Sequence, residues 1–311
     1  MQNHLLPEGF RDSLPEVAKE EFRFISEFVE LMTNKKYRLV KPPLLEFEES
    51  MFFATKDNSS IKSFRVLDPL SQKVMAIRTD ITTQIARIVS GSLKNAKRPL
   101  RVLYFGEILS VNNSQLKISR QSTQMGAEII GTGGEEYEIE IIKIIIEILT
   151  KFKISDYRIS LSMPTVLKSL SLDFNLDENQ ENYLYKCYEN KNLQDIRNIS
   201  TDIYNISEKL INKIGLIDEI SEFLISENFP SKTQCEINKF IESLKNFLNK
   251  LPDVNFVVDT AEIDNSGYHT GMMFKFYSDK LNELFSGGVY RVNHEDCIGF
   301  SGLIENLIEN K

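Results

Sequence analysis

QMGAEIIG, residues 124–131, sets a Gln, a Gly and a Glu at alternate positions among apolar neighbours. It lies in a run, QSTQMGAEIIGT, that reads as a β-strand, and side chains alternate between the two faces of a strand. Gln124, Gly126 and Glu128 therefore share one face, where a simple sandwich would carry Val or Leu. An ionised Glu in such a row is costly unless it meets a partner or solvent. Two readings stay open: a polar trough that receives a ligand, or a wet face of the kind antiparallel sheets often expose.

The flanking segments suit a sheet. Upstream, PLRVLYFGEILSV (99–111) reads as a second strand, joined to the first by the polar loop NNSQLKISR (112–120). Before it, DITTQIARIVSGSL (80–93) reads as a helix started by Asp80 or Thr82, both residues that accept from free amide groups at helix starts. FRVLDPLSQKVMAI (64–77) reads as a hairpin turning near Asp68-Pro69 and Ser71. In YRLVKPPLLEF (37–47), Pro42 and Pro43 cannot donate to a ladder, which places it at a sheet edge or a subunit contact. Residues 14–36 carry apolar side chains at spacings of three and four and predict a long helix with one buried face.

Between about residues 165 and 250 the pattern changes to Asn, Glu, Lys and Leu/Ile at helical spacing, which predicts a helical insertion. Strands return at VNFVVDTAEI (254–263), GYHTGMMFKFYS (267–278) and ELFSGGVYRV (283–292). A short helix, GFSGLIENLIEN (299–310), follows. Tyr268, Thr270 and Met272 are expected on one strand face, and Gly267, His269, Gly271 and Met273 on the other. Gly287 and Gly288 read equally as turn glycines or as points where a ligand or backbone comes close. The expected class is α+β with mostly antiparallel neighbours.

Composition narrows the function. Thirty-seven basic against 45 acidic residues give −8, with the basic ones scattered, which argues against tight sequence-independent binding to a phosphate backbone. Three dispersed cysteines, Cys187, Cys235 and Cys297, suggest neither a disulfide framework nor a zinc site, so no metal is expected. The N-terminus does not read as a signal peptide, and IEIIKIIIEILTKF (139–152) is interrupted by charges too often to span a membrane. A soluble cytoplasmic protein is expected.

Seven pieces in order carry a resemblance: LPEGFRD (6–12), YRLVKPPLLEFE (37–48), IRTDIT (77–82), LYFGEIL with SRQSTQMGAEIIG (103–131), GYHTGMMF (267–274), SGGVYR (286–291) and IGFSGLIENL (298–307). Together they resemble the catalytic core of a class II aminoacyl-tRNA synthetase, specifically histidyl-tRNA synthetase, across nearly the whole chain. The resemblance implies an antiparallel sheet flanked by helices. It divides the chain into a first core part (1–164), the insertion (165–250) and a last core part (251–311), without an anticodon-binding domain.

The departures from that family matter as much. Its second-motif arginine, which grips the ATP α-phosphate, falls in a stretch that here holds Leu109, Ser110 and Asn112. Its third-motif Glu-Arg pair is Glu305-Asn306, and the arginine four residues before the Tyr of its YYTG-like segment is Asp264. None of these replacements supplies a bidentate permanent cation to a phosphate. The histidine pocket that the resemblance implies is largely kept: Asp80, Thr82 and Gln124 for the ammonium, Glu128 with Tyr268 and His269 for the imidazole, Arg120 for the carboxylate.

A histidine pocket on such a core is similar to the regulatory subunit of ATP phosphoribosyltransferase. That likeness implies a non-catalytic chain with no cofactor. It also implies a short-form catalytic partner, feedback inhibition by L-histidine in histidine biosynthesis, self-association through the first-motif region, and no tRNA or membrane partner. The alternatives are a diverged synthetase-like enzyme that activates an amino acid with ATP, and a histidine sensor with another partner.

Overall fold

A computed structural model describes residues 5–51, 63–111, 119–131, 134–263 and 268–311. In chain order the first elements are α1 (Pro15–Asn34), β1 (Arg38–Leu39), β2 (Leu45–Phe47), α2 (Glu48–Met51), β3 (Arg65–Leu67), β4 (Val74–Ile77) and α3 (Thr82–Ser90). Then come β5 (Leu100–Leu109), β6 (Gln121–Ile130), α4 (Glu135–Phe152), β7 (Tyr157–Ser162), α5 (Thr165–Asp173), α6 (Glu178–Glu189), α7 (Leu193–Ile196) and α8 (Thr201–Leu210). The rest are β8 (Ile214–Leu216), α9 (Ile217–Ser226), α10 (Ser231–Lys250), β9 (Phe256–Asp259), β10 (His269–Ser278), β11 (Glu283–Val292), β12 (Glu295–Leu303) and α11 (Ile304–Ile308). The α+β class expected from sequence holds.

The chain divides into two compact units, one of residues 1–132, 144–155 and 292–311, the other of residues 133–143 and 156–291. In the first, strands run in the order β1-β5-β6-β12, with β1 parallel to β5 and the other neighbours antiparallel. A small antiparallel sheet, β2-β4-β3, belongs to the same unit. Its hairpin turns where Asp68 accepts from the amides of Leu70 and Ser71 and from the Ser71 hydroxyl, the Asx chemistry expected there. Helix α1 starts on Pro15, whose missing N–H costs nothing in a first turn. It buries Phe24, Phe28, Leu31 and Met32 along one stripe, with Phe24 against Phe152 and Phe28 edge-on to Phe300.

The second unit orders its strands β11-β10-β7-β9-β8, parallel only between β7 and β9. Residues 165–250 hold helices α5 to α10, as the periodicity predicts, together with the short strand β8 around Gly215. Their apolar faces meet in a cluster that includes Leu170, Leu184, Tyr188, Ile203 and Ile211. Asp173 accepts from the amides of Lys232 and Thr233 and from the Thr233 hydroxyl, satisfying free donors at the start of α10.

Two sequence expectations need correction. GFSGL, read as part of a terminal helix, is the end of β12, paired with β6 from Cys297 opposite Ile130 to Leu303 opposite Gln124. Glycines at 299 and 302 weaken the strand pattern there, and α11 begins only at Ile304. The strict alternation over 268–273 is also broken. His269 pairs with Tyr290 and Met273 with Gly288, so four steps along β10 match two along β11, and this bulge buries Met272 and Met273 alike.

Candidate functional site

The register of β5 on β6 sets Gly106 opposite Gln124, Tyr104 opposite Gly126 and Val102 opposite Glu128. Gln124, Gly126 and Glu128 thus share their face with Tyr104, which lies across the row. A Cβ on Gly126 would come within 2.5 Å of the Tyr104 hydroxyl, so only glycine leaves room for it. Tyr104 donates to Glu128 Oε1 at 3.1 Å. Its single proton being spent there, the 2.8 Å contact between Thr82 Oγ1 and Tyr104 is one in which Thr82 donates. The Thr82 oxygen keeps its lone pairs for a further donor. Burial, then the charges of Glu128 and Asp80, push the Tyr104 hydroxyl well above the usual phenol range, so it stays protonated.

Glu128 is 1% exposed. It fits because its cross-strand neighbour on β12 is Gly299, where any Cβ would overlap the carboxylate. At the other end of the row, the Gln124 amide donates to Asp80 Oδ2 at 2.7 Å, and its carbonyl accepts from the Ile81 amide at 2.8 Å. Asp80 Oδ1 also accepts from the Thr83 amide at 3.3 Å. Asp80 therefore serves the start of α3 and the polar row together. Asp80 and Gln124 form one hydrogen-bonded pair, while Thr82, Tyr104 and Glu128 form a connected chain. Sequence reasoning missed Tyr104. The signal that would have found it is Gly126 itself, flanked by two long polar side chains and opposite an aromatic on the next strand.

Arg120 lies just before β6. Its guanidinium sits 4.6 Å from the Phe64 ring centre and 5.4 Å from that of Phe10, and donates to the carbonyls of Ser110 and Glu8. Leu109 ends β5, and its amide donates to the Arg78 carbonyl. Asn306 lies in α11, while Asn112 and Asp264 are outside the described residues. In the second unit, Tyr268 stacks on Tyr290 at 4.6 Å and meets His269 edge-on at 5.5 Å. His269 packs onto Gly288, where a Cβ would lie 2.7 Å from its ring, so Gly288 is a close-approach glycine.

A family model described as "Histidyl-tRNA synthetase" matches residues 9–307. The ATP phosphoribosyltransferase regulatory subunit of Rhodospirillum rubrum is 30% identical over 287 residues, 92% of this chain and 75% of that one. The subunit of the same name from Gluconobacter oxydans is 30% identical, over 96% and 78%. The chain belongs to the histidyl-tRNA synthetase-like ATP phosphoribosyltransferase regulatory subunits. Its named members are regulatory subunits. Its fold is seen in a solved ATP phosphoribosyltransferase regulatory subunit/histidyl-tRNA synthetase from Bacillus halodurans C (TM-score 0.82, 23% identity, 100% of this chain and 84% of that one). It is seen also in histidyl-tRNA synthetase from Nostoc sp. PCC 7120 (TM-score 0.80, 19% identity, 99% and 75%).

The chain presents a second polar group on the opposite face of β6. Thr123 Oγ1 lies 2.5 Å from Glu21 and 2.9 Å from Glu107, and its amide donates to Glu305. These side chains border a cavity of about 310 Å³. Burial raises the Glu305 carboxyl. Among the described residues no group of three or more His, Cys, Asp or Glu side chains is arranged to hold a metal, and no helix is long and apolar enough to cross a membrane.

Proposed function

We propose that the chain is the regulatory subunit of a cytoplasmic ATP phosphoribosyltransferase with a short-form catalytic partner, and that it binds L-histidine as feedback inhibitor of the first step of histidine biosynthesis. The observation that carries this reading is the buried Glu128 carboxylate, held by Tyr104 on the same sheet face as Asp80, Thr82 and Gln124. Asp80, Thr82 and the Gln124 carbonyl are acceptors suited to an ammonium group. Glu128 is an acceptor suited to an imidazole N–H, and a buried acid rejects a ligand that lacks this donor. Arg120, the cation that the resemblance implies for the carboxylate, is engaged by Phe10, Phe64 and the carbonyls of Ser110 and Glu8 and is not part of this reading.

Inhibition requires that histidine bind one state of the hetero-oligomer better than another, because a ligand with equal affinity for both shifts nothing. A Kd in the micromolar range or weaker, about −8 kcal/mol, suits a sensor of a metabolite. In the complex reconstituted with a short-form catalytic subunit, Glu128→Gln is expected to raise the half-inhibiting histidine concentration about tenfold or more. Unchanged inhibition would sink the pocket; failure of the unaltered chain to stimulate the catalytic subunit would sink the partnership.

A further inference from the structure

We infer that Arg78, a residue outside the pocket implied by family resemblance, is the cation that receives the carboxylate of the bound amino acid; the inference rests on the histidine reading above. Arg78 is 5% exposed. Its Nε donates to the Glu107 carbonyl at 2.6 Å, and Nη1 to the Pro42 carbonyl at 3.1 Å and to Gln84 Oε1 at 3.4 Å. All three acceptors are neutral. The acids whose charges reach it are engaged elsewhere: Glu46 is gripped by Arg87 and Gln84, and the Glu107 carboxylate lies beside Thr123 and accepts from Gln121 on the other face of the sheet. Among the described residues no carboxylate forms an ion pair with Arg78. Burial works against its charge, and the charges of Glu107 and Glu46 offset that only from a distance; a guanidinium does not shed its proton, and one held directly by neutral acceptors gains from a counter-charge in contact.

The third arm of the guanidinium points to where that counter-charge would come. Nη2 lies over Gly106, in space that a Cβ would occupy. Gly106 is the cross-strand partner of Gln124, and such partners have Cβ positions about 5 Å apart. Nη2 is therefore on the same face as the Gln124 side chain that holds Asp80. An α-amino acid whose ammonium meets Asp80 and Gln124 carries its carboxylate two bonds further on, within reach of an arm set beside Gln124. Arg120 has a different environment: two aromatic rings and two backbone carbonyls already engage its guanidinium. The ligand class is thus one that requires a carboxylate, and an imidazole with only an amine should be refused.

Calorimetric titration with L-histidine and with histamine, which lacks the carboxylate, tests the assignment. The unaltered chain should prefer histidine by about tenfold or more. Arg78→Lys should bring the two affinities to within about threefold by weakening histidine alone, because a compact ammonium cannot reproduce the forked geometry. Arg78→Gln, which keeps a neutral donor but removes the charge, should do the same and serves if Arg78→Lys does not fold by circular dichroism. Arg120→Gln should keep the preference. A preference that survives both Arg78→Lys and Arg78→Gln, or that collapses in Arg120→Gln, overturns the assignment and leaves the histidine reading standing. Absence of histidine binding by the unaltered chain overturns both.

Discussion

Tyr104 and Glu138 illustrate how single side chains set the chemistry of this molecule. The row Gln124, Gly126, Glu128 is legible in the sequence from alternation alone, but Tyr104, which closes it, is not. An aromatic in a strand reads as core, and its hydroxyl is informative only once the register on Gly126 is known. Glu138, in the first turns of α4, is another group that sequence conceals. Burial, then the neighbouring charge of Glu135, raise its carboxyl from 4.5 to about 7. A folded-state pKa above the unfolded one means that folding binds a proton: this contribution is complete below about pH 4.5 and is lost as pH rises through 7. Between those limits the loss is about 3 kcal/mol at most. Urea denaturation at pH 5 and pH 8 should show stability falling with pH, and Glu138→Gln should flatten the difference. A slope unchanged by that substitution would refute the account.

At the scale of elements, long periodic segments are legible, including the glycine-bearing β6, β10 and β11, whereas β8 and the end of β12 are not. Helix α1, the β3-β4 hairpin and the β5-β6 pair follow from apolar spacing and turn residues, because local chemistry and burial agree there. Strand β12 hid behind Gly299, Ser301 and Gly302, and β8 behind three residues in a helical context. The β10 bulge also escaped the alternation rule, since only its partner β11 reveals the extra residues. The cap on α10 was equally invisible: Asp173 is far from Thr233 in sequence, and Pro230 looks like an adequate start. Burial works against the Asp173 charge, but the amides of Thr233 and Lys232 and the Thr233 hydroxyl hold its carboxyl below the usual range. Asp173→Ala should cost about 1 kcal/mol or somewhat more, measured by urea or thermal denaturation, whereas Asp173→Asn should lose less. Equal losses for the two would show that capping is not what the residue supplies.

Across the whole molecule, order along the chain was the most legible feature, because seven short matches in sequence constrain a fold more than any one does. The two compact units were not readable in that way: residues 292–311 return to the first unit after a long excursion, and α4 contributes half its length to each. The whole chain also bears on synthetase chemistry. With Leu109 ending β5, Ser110 just after it and Asn306 in α11, arginines of the synthetase type do not stand at those positions. Purified protein should show no histidine-dependent ATP–pyrophosphate exchange, yet histidine at 100 times its Kd should stabilise it by about 2.7 kcal/mol in a melting experiment. Clear exchange would return the chain to the enzymes. Gly299 leads to a different kind of constraint, on paired substitution. Because a side chain there would displace the Glu128 carboxylate, positions 299 and 128 are coupled: a residue other than glycine at 299 is tolerated together with the carboxylate only at the cost of moving it off Tyr104.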